Sequence, residues 1–596
     1  GVLQNPGTGI FLFTVNFNCV NSGTIKDNGY YLILRIAGDV EQHGTWTNLF
    51  TLLNGNLDQT LWFTQPFAGK YLTITKPSGK LVARTDLDFI NTILDVNNNT
   101  ILFTEGEKFS LNGGSLDQGL FYKDPSYNNG NFTFTLTNNA VYQKTIITAD
   151  TIRLEGIVQF QSPPVTFNGC VIVGGSLRNY QSNSYAAIIN GTVINMGTVS
   201  KNVFNLNINL HGDWINTGTW NTTQVVLSGD SDQTLEFINK VKSVQIINGK
   251  SYGDLTVNGD FSIESTTFDL NNDTAIFQGG NVIQLANSRL VNGTFLLPAC
   301  PAFSFNLIDN SYLQNCSFTA DTIVVSGILQ VKEAGVHIDA HVINNGVIQN
   351  YGSSSGSFYV HGSFNNPGDV RNNGNGELSM YLESDLYHKG TWQNAGTYLT
   401  GSETRFVNMF GEFWGKEFRV LSGPDTLIVN TDLIFNNTEV DFDSAVVFLP
   451  DYASVINNNG SLSYCKLIAE KIEFAMPDSG VCRQVFLPTC NVYGNIYIDD
   501  EVTINGNLNL WANLQNLPGE EVRVEITGSL INQGKISDTA GALSLSVQGD
   551  VFHYGEMSNS NLYLTGFDEQ RVELQNGKWI ESTLGLTVNS GTNYEW

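Results

Sequence analysis

Apolar and polar residues alternate one for one along much of the chain. Phe11, Phe13, Val15, Phe17 and Cys19 share one parity; Phe132, Phe134 and Leu136 alternate with Thr133, Thr135 and Thr137. Val522, Val524 and Ile526 interleave with Arg523, Glu525 and Thr527, and Leu543, Leu545 and Val547 with Ser544, Ser546 and Gln548. Period two predicts strands with one buried and one wet face. The runs are short and are punctuated by Asn-Gly, Gly-Asn and Ser-Gly, residues that tolerate the left-handed backbone of turns. No segment sustains the i, i+3, i+4, i+7 stripe of a capped helix. The pattern predicts an all-β chain.

The chain also aligns with itself. Asn21-Ser-Gly23-Thr-Ile25 returns at Asn195, Asn366 and Asn532, at nearly equal intervals. Gly44-Thr-Trp46 returns with Trp220 and Trp392, and more distantly with Met557. Gly55-Asn-Leu-Asp-Gln59 returns with Gln233, Arg405 and Gln570, and Asp95-Val-Asn-Asn-Asn with Asp269 and Asp441. Anchors that keep common offsets predict a unit of roughly 170 residues, at approximately 20–193, 194–365, 366–530 and, as a partial copy, 531–596. Inside it runs a shorter beat of apolar strand and Gly/Asn corner, as in Gly191-Thr-Val-Ile-Asn195-Met-Gly197-Thr-Val199. That is the rhythm of a parallel β-helix, or β-solenoid, expected to run continuously over 1–596. Coils of ~20–24 residues rising ~4.8 Å each would make a rod on the order of 130 Å. The Asn, Trp and Gln anchors then read as core and corner residues, with Asn side chains free to ladder. A string of β-sandwiches would need linkers and a core Trp or Tyr in each half, and each unit has one Gly-x-Trp.

Segments such as Leu255-Thr-Val-Asn-Gly-Asp-Phe-Ser-Ile263, Phe268-Asp-Leu-Asn-Asn-Asp-Thr274 and Gly-x-x-x-Gln-x-Leu at 229–235, leading into Val244-Gln-Ile-Ile-Asn-Gly249, carry a resemblance. They are similar to the large secreted, adhesin-like surface proteins of Bacteroidota-type bacteria. The resemblance implies long parallel β-helical stretches exported to the cell surface. The chain opens at Gly1 without a Met or an apolar leader, which reads as a trimmed stretch of a longer polypeptide.

Composition narrows the function. Fifty-six acidic residues against 29 basic ones give a net charge of −27. That argues against nucleic acid, whose phosphates need Lys/Arg patches. No run of about 20 apolar residues exists to span a membrane. The seven cysteines lack C-x-x-C spacing; Cys300/Cys316 and Cys465/Cys482 are spaced so that each pair could meet on neighbouring coils, or serve as small buried hydrophobes.

Candidate chemistry is thin. His337, Asp339 and His341 alternate, so on a strand all three project from one face as candidate metal ligands. Val336, Ile338, Ala340 and Val342 hold the buried parity, which turns the three outward. Clusters at 95–99, 269–273 and 439–443, containing Asp95, Asp269 and Asp441, offer oxygen ligands for a structural Ca²⁺; no other cofactor is expected. Asp499-Asp500-Glu501 and Glu520-Glu521 read as solvated turns. His43, His211, His361, His388 and His553 are unshared between units. Trp46, Trp220 and Trp392 could stack on sugars, though coil packing suits them better. The expectation is a non-enzymatic, extracellular structural or adhesive rod that self-associates or meets cell-surface protein or carbohydrate. The alternative is a polysaccharide-active β-helix lyase or hydrolase, which requires a carboxylate-rich groove. A carbohydrate- or ice-binding module would need a longer flat array than Thr133–Thr137 supplies.

Overall fold

The computed structural model describes all residues except 125, 127–129, 181–183, 299–302, 309, 422–425, 587–593 and 596. Among the described residues there are strands, turns and bends but no helix. The chain divides into two compact units, Gly1–Ala299 and Cys300–Trp596, and each is a parallel β-solenoid.

A turn of the first unit consists of three short strands and three corners. Strands Tyr185–Ile189, Val193–Asn195 and Thr198–Ser200 pair in parallel with the next turn, Tyr185 on Leu206, Val193 on Trp214 and Thr198 on Thr219. In the second unit Gly356–Val360, Phe364–Asn366 and Asp369–Arg371 do the same, with Gly356 on Leu378, Phe364 on Leu386 and Asp369 on Thr391. Asn195 and Asn216 are 21 residues apart on successive turns, and Asn344 and Asn366 are 22. The backbone therefore repeats at this short interval, which corrects the expected long unit. Nor do the anchors of the first unit share a face. The strand of Asn21, followed from turn to turn, arrives at Tyr185–Ile189, whereas the strand of Asn195 leads back to Phe89 and Phe67. The motif thus returns after about eight turns, one face further round.

The expected alternation becomes two columns per strand. Ile338, Val360, Leu382, Leu399 and Val420 stack in register across five turns and are all buried. Removing such a side chain from water contributes about 1.5–3 kcal/mol. The first unit also lines up aromatic rings inside: Trp46, Phe67, Phe89, Phe109 and Phe134 follow one another at 5.4, 5.8, 5.5 and 4.4 Å between ring centres, the first three contacts tilted and the last face to face. Phe11–Val15 also forms as predicted, but Phe11 and Phe13 remain 40% and 38% exposed.

One corner admits only glycine. Gly175, Gly197 and Gly218 lie in successive turns, and a Cβ on either of the latter two would collide with the carbonyl oxygen of the glycine one turn earlier. That oxygen accepts an amide from the next turn, Thr198 N to Gly175 O and Thr219 N to Gly197 O, both at 2.8 Å. Gly346, Gly368 and Gly390 form the same column in the second unit. Gly197→Ala is expected to lower stability by about 1–3 kcal/mol through overpacking, read as a fall in the thermal midpoint. Gly7→Ala, where nothing lies within 4 Å of the added carbon, should leave the midpoint unchanged.

Candidate functional site

The recurrent anchors bind one turn to another. Asn195 donates through Nδ2 to Asn216 Oδ1 (2.7 Å) and to the Thr219 carbonyl (3.0 Å). Asn21 repeats this with Gln42 (2.7 Å) and the Thr45 carbonyl (3.1 Å). Asn366 meets His388 Nδ1 (3.4 Å) and the Thr391 carbonyl (3.2 Å); Asn532 meets His553 Nδ1 (3.0 Å) and the Glu556 carbonyl (3.3 Å). The glutamines share a role as well. Gln59 donates to the carbonyls of Ile36 and Gly38 (3.3 and 2.6 Å), Gln233 to Leu210 and Gly212 (3.0 and 2.8 Å), and Gln570 to Val547 and Gly549 (3.0 and 2.6 Å). Arg405 replaces the glutamine at its copy and reaches the Leu382 carbonyl at 3.3 Å.

Trp46, Trp220 and Trp392 are at most 1% exposed, so no sugar can reach their rings. Each indole N–H is satisfied internally, by Asn48 and Thr51, by Thr222, and by Asn394 and Thr397 respectively.

The three aspartates make one kind of corner. The carboxylates of Asp95, Asp269 and Asp441 each accept the amide two residues on, from Asn97, Asn271 and Asp443, at 2.9 Å. A left-handed pair follows in every case: Asn97 and Asn98, Asn271 and Asn272, Asp443 and Ser444. These are Asx turns, in which the side chain stands in for a backbone acceptor. Among the described residues no three His, Cys, Asp or Glu side chains converge as a metal site.

Sequence reasoning missed His388 and His553. Both are fully buried and stand one turn beyond an anchor asparagine, where Gln42 and Asn216 stand in the other copies. Their offsets of 22 and 21 residues from Asn366 and Asn532 were the available signal. Nε2 of each faces a carbonyl at 3.2 Å, Glu412 O or Lys578 O. Nε2 therefore carries the proton, and Nδ1 accepts from the asparagine. Burial holds both imidazoles below the ordinary histidine pKa, the carbonyl contact opposing it.

Cys465 and Cys482 are buried free thiols. The register sets Leu462 on Cys482 and Cys465 on Val485, so the suggested pair is not opposed. Cys300 lies outside the described residues.

The outward face of the second unit carries the site-like feature. His337 sits in register on Tyr359, Tyr359 on Tyr381, Tyr381 on Tyr398, and Tyr398 on Arg419. The column continues through Asp441, Ser463 and Arg483. In its first half the rings are face to face: centres 4.3, 4.5 and 4.9 Å apart, planes within 4°, 12° and 23°. Ring faces cover one another, leaving edges and hydroxyls for solvent. Tyr398 donates its hydroxyl proton to Glu417 Oε2 at 2.9 Å, and burial followed by that carboxylate pushes its phenol pKa up to about 12. His337 also stacks on His361 at 5.7 Å; burial and then His361 push its pKa down.

Asp339 faces solvent as the alternation predicts, and His341 is half-buried with Nδ1 on Ser363 Oγ. The second half of the column lines a cleft of about 370 Å³ with Arg419, Glu439, Asp441, Ser463, Arg483 and Asp499. Arg419 reaches both Glu417 (3.4 Å) and Glu439 (3.6 Å), and Arg483 pairs with Asp499. The face thus offers hydroxyl edges, two guanidinium groups and several carboxylates along one line. No family model matches the chain, and neither a curated protein nor a solved structure does.

The buried histidines set an acid limit. With folded pKa values below about 6.5, the unfolded chain takes up protons first. Their contribution is complete above about pH 6.5 and is lost as pH falls below it. The thermal midpoint should therefore drop between about pH 7 and pH 5. The double variant His388→Asn/His553→Asn, which installs an amide such as other copies use, should flatten that drop. An unchanged slope would assign the acid sensitivity to other groups.

Proposed function

We propose that this chain is a non-enzymatic, extracellular structural or adhesive segment that makes its contacts through outward side-chain columns. The observation that carries this reading is the use of the repeated residues: the Asn and Gln anchors tie turn to turn and the Trp anchors fill the core. Recurrence along the chain thus maintains a scaffold, and the variable outward faces remain for contact. The secreted adhesin-like proteins that the sequence resembles supply the same expectation, with self-association or cell-surface protein and carbohydrate as partners. A net charge of −27 disfavours nucleic acid and suits a surface bathed in salt and divalent cations. Among the described residues no helix is long and apolar enough to cross a membrane.

A second reading has one observation in its favour, the cleft that joins Glu439, Asp441 and Asp499 to Arg419 and Arg483. A polysaccharide lyase or hydrolase needs carboxylates and a basic group gathered in such a groove. One assay separates the two: the full chain is incubated with immobilised cell-envelope material and with soluble polyuronates. Retention on the envelope, with neither new reducing ends nor unsaturated uronate, is the expected outcome. Product formation that Asp441→Asn abolishes would replace the adhesive reading with the enzymatic one.

A further inference from the structure

We propose that Tyr359, Tyr381 and Tyr398 form an oxidative cross-linking site, at which a haem peroxidase using hydrogen peroxide couples neighbouring tyrosines into dityrosine and staples one turn of the second unit to the next. Nothing in this depends on the adhesive reading.

Geometry supplies the first argument. Coupling requires two phenols held near each other long enough for both to be oxidised. The parallel register delivers Tyr359 onto Tyr381 and Tyr381 onto Tyr398, with ring centres 4.5 and 4.9 Å apart and planes within 12° and 23°. The core columns beneath, Phe358 on Met380 and Val360 on Leu382, are fully buried and hold these strands in register. All three rings are half-buried, so their edges stay open to an oxidant in solution. Tyr312 and Tyr351 also meet, at 4.4 Å, but they are tilted by 48° and Tyr312 is only 5% exposed.

The second argument is the proton. A phenol that loses an electron must also lose its hydroxyl proton, and oxidation is easiest where an acceptor is in place. Glu417 Oε2, 2.9 Å from the Tyr398 hydroxyl, is that acceptor at one end of the stack. A radical formed on Tyr398 or Tyr359 lies one ring contact from Tyr381, which makes Tyr381 the common partner.

The step balances as follows. Each of two tyrosines gives up one electron and one hydroxyl proton. The resulting phenoxyl radicals join through a new carbon–carbon bond between positions ortho to the oxygens, and the hydrogens on those carbons move to the oxygens to restore two phenols. The two electrons and two protons released reduce one hydrogen peroxide to two waters through the peroxidase. A cross-link between adjacent turns then restricts the unfolded chain as a disulfide does.

The test treats the dilute full-length chain with a haem peroxidase and hydrogen peroxide, followed by dityrosine fluorescence and peptide mapping. Expected is a monomeric product short of two hydrogens, whose linked peptides join Tyr381 to Tyr359 or to Tyr398. Tyr381→Phe keeps the ring in the stack and should abolish both links, whereas Tyr252→Phe, at a 74% exposed position, should leave them intact. Glu417→Gln should shift the product toward the Tyr359–Tyr381 link. Absence of dityrosine, links confined to Tyr312–Tyr351 or between chains, or an undiminished yield from Tyr381→Phe would each overturn the proposal.

Discussion

In a parallel solenoid each residue is stacked on the one that holds the same place in the next turn, about 4.8 Å away. That single constraint governs the rest of this protein. A residue is acceptable at a position only if it tolerates a near copy of itself, or its complement, on either side. Apolar side chains meet the condition by packing, and amides meet it because each carries both a donor and an acceptor. Asn195 on Asn216 and Asn344 on Asn366, both at 2.7 Å, show the amide solution deep in the stack. Glycine meets it where the backbones come too close for a Cβ, as at Gly197 and Gly368.

Charged side chains fail the condition, because like charges directly opposed across strands repel. Only 14% of the chain is charged, and in several places opposite signs are in register: Lys242 on Glu264, Lys535 on Glu556, Arg419 on Asp441. One like-charged pair is informative. Glu417 lies on Glu439, and Arg419 is aimed at both carboxylates. A guanidinium with five donors in a planar fork can bridge two acceptors where an ammonium would hold one less well. Asp95 lies on Asp117 in the same like-charged way; burial, with Asp117 adding to it, raises the Asp95 pKa.

Much of this was legible in the residues. Alternation at Phe132–Leu136 and Val522–Ile526 identified inward faces that are buried, and the Asn, Gln and Trp anchors are buried too. What misled was the strength of the anchors relative to the weak turn repeat. Between successive turns Asn, Gln and His can exchange on one ladder because each pairs with an amide, so Gln42, Asn216, His388 and His553 hide the turn period. The anchor motif itself returns on a different face, so its interval measures neither a turn nor a unit of the fold. The aromatic column was hidden for another reason. Tyr398 follows Tyr381 sooner than Tyr381 follows Tyr359, and a shortened turn breaks any fixed period while the strand register absorbs it.

The two ring columns show how aromatic residues serve two purposes in one coil. In the first unit, phenyl and indole rings pack inside the coil at 4.4 to 5.8 Å, mostly tilted, and contribute burial. In the second, rings stack outside at 4.3 to 4.9 Å with hydroxyls or imidazole nitrogens added. Placing rings outside forgoes part of the hydrophobic gain, and stacking recovers some of it by covering ring faces. It also fixes polar atoms in a line at the strand spacing. Alternation decides which face a ring takes, register decides what lies beside it, and a single hydroxyl decides whether the column only packs or can also react. A solenoid can therefore change its chemistry by substitutions confined to outward columns, because the inward columns, amide ladders and glycine corners already specify the fold.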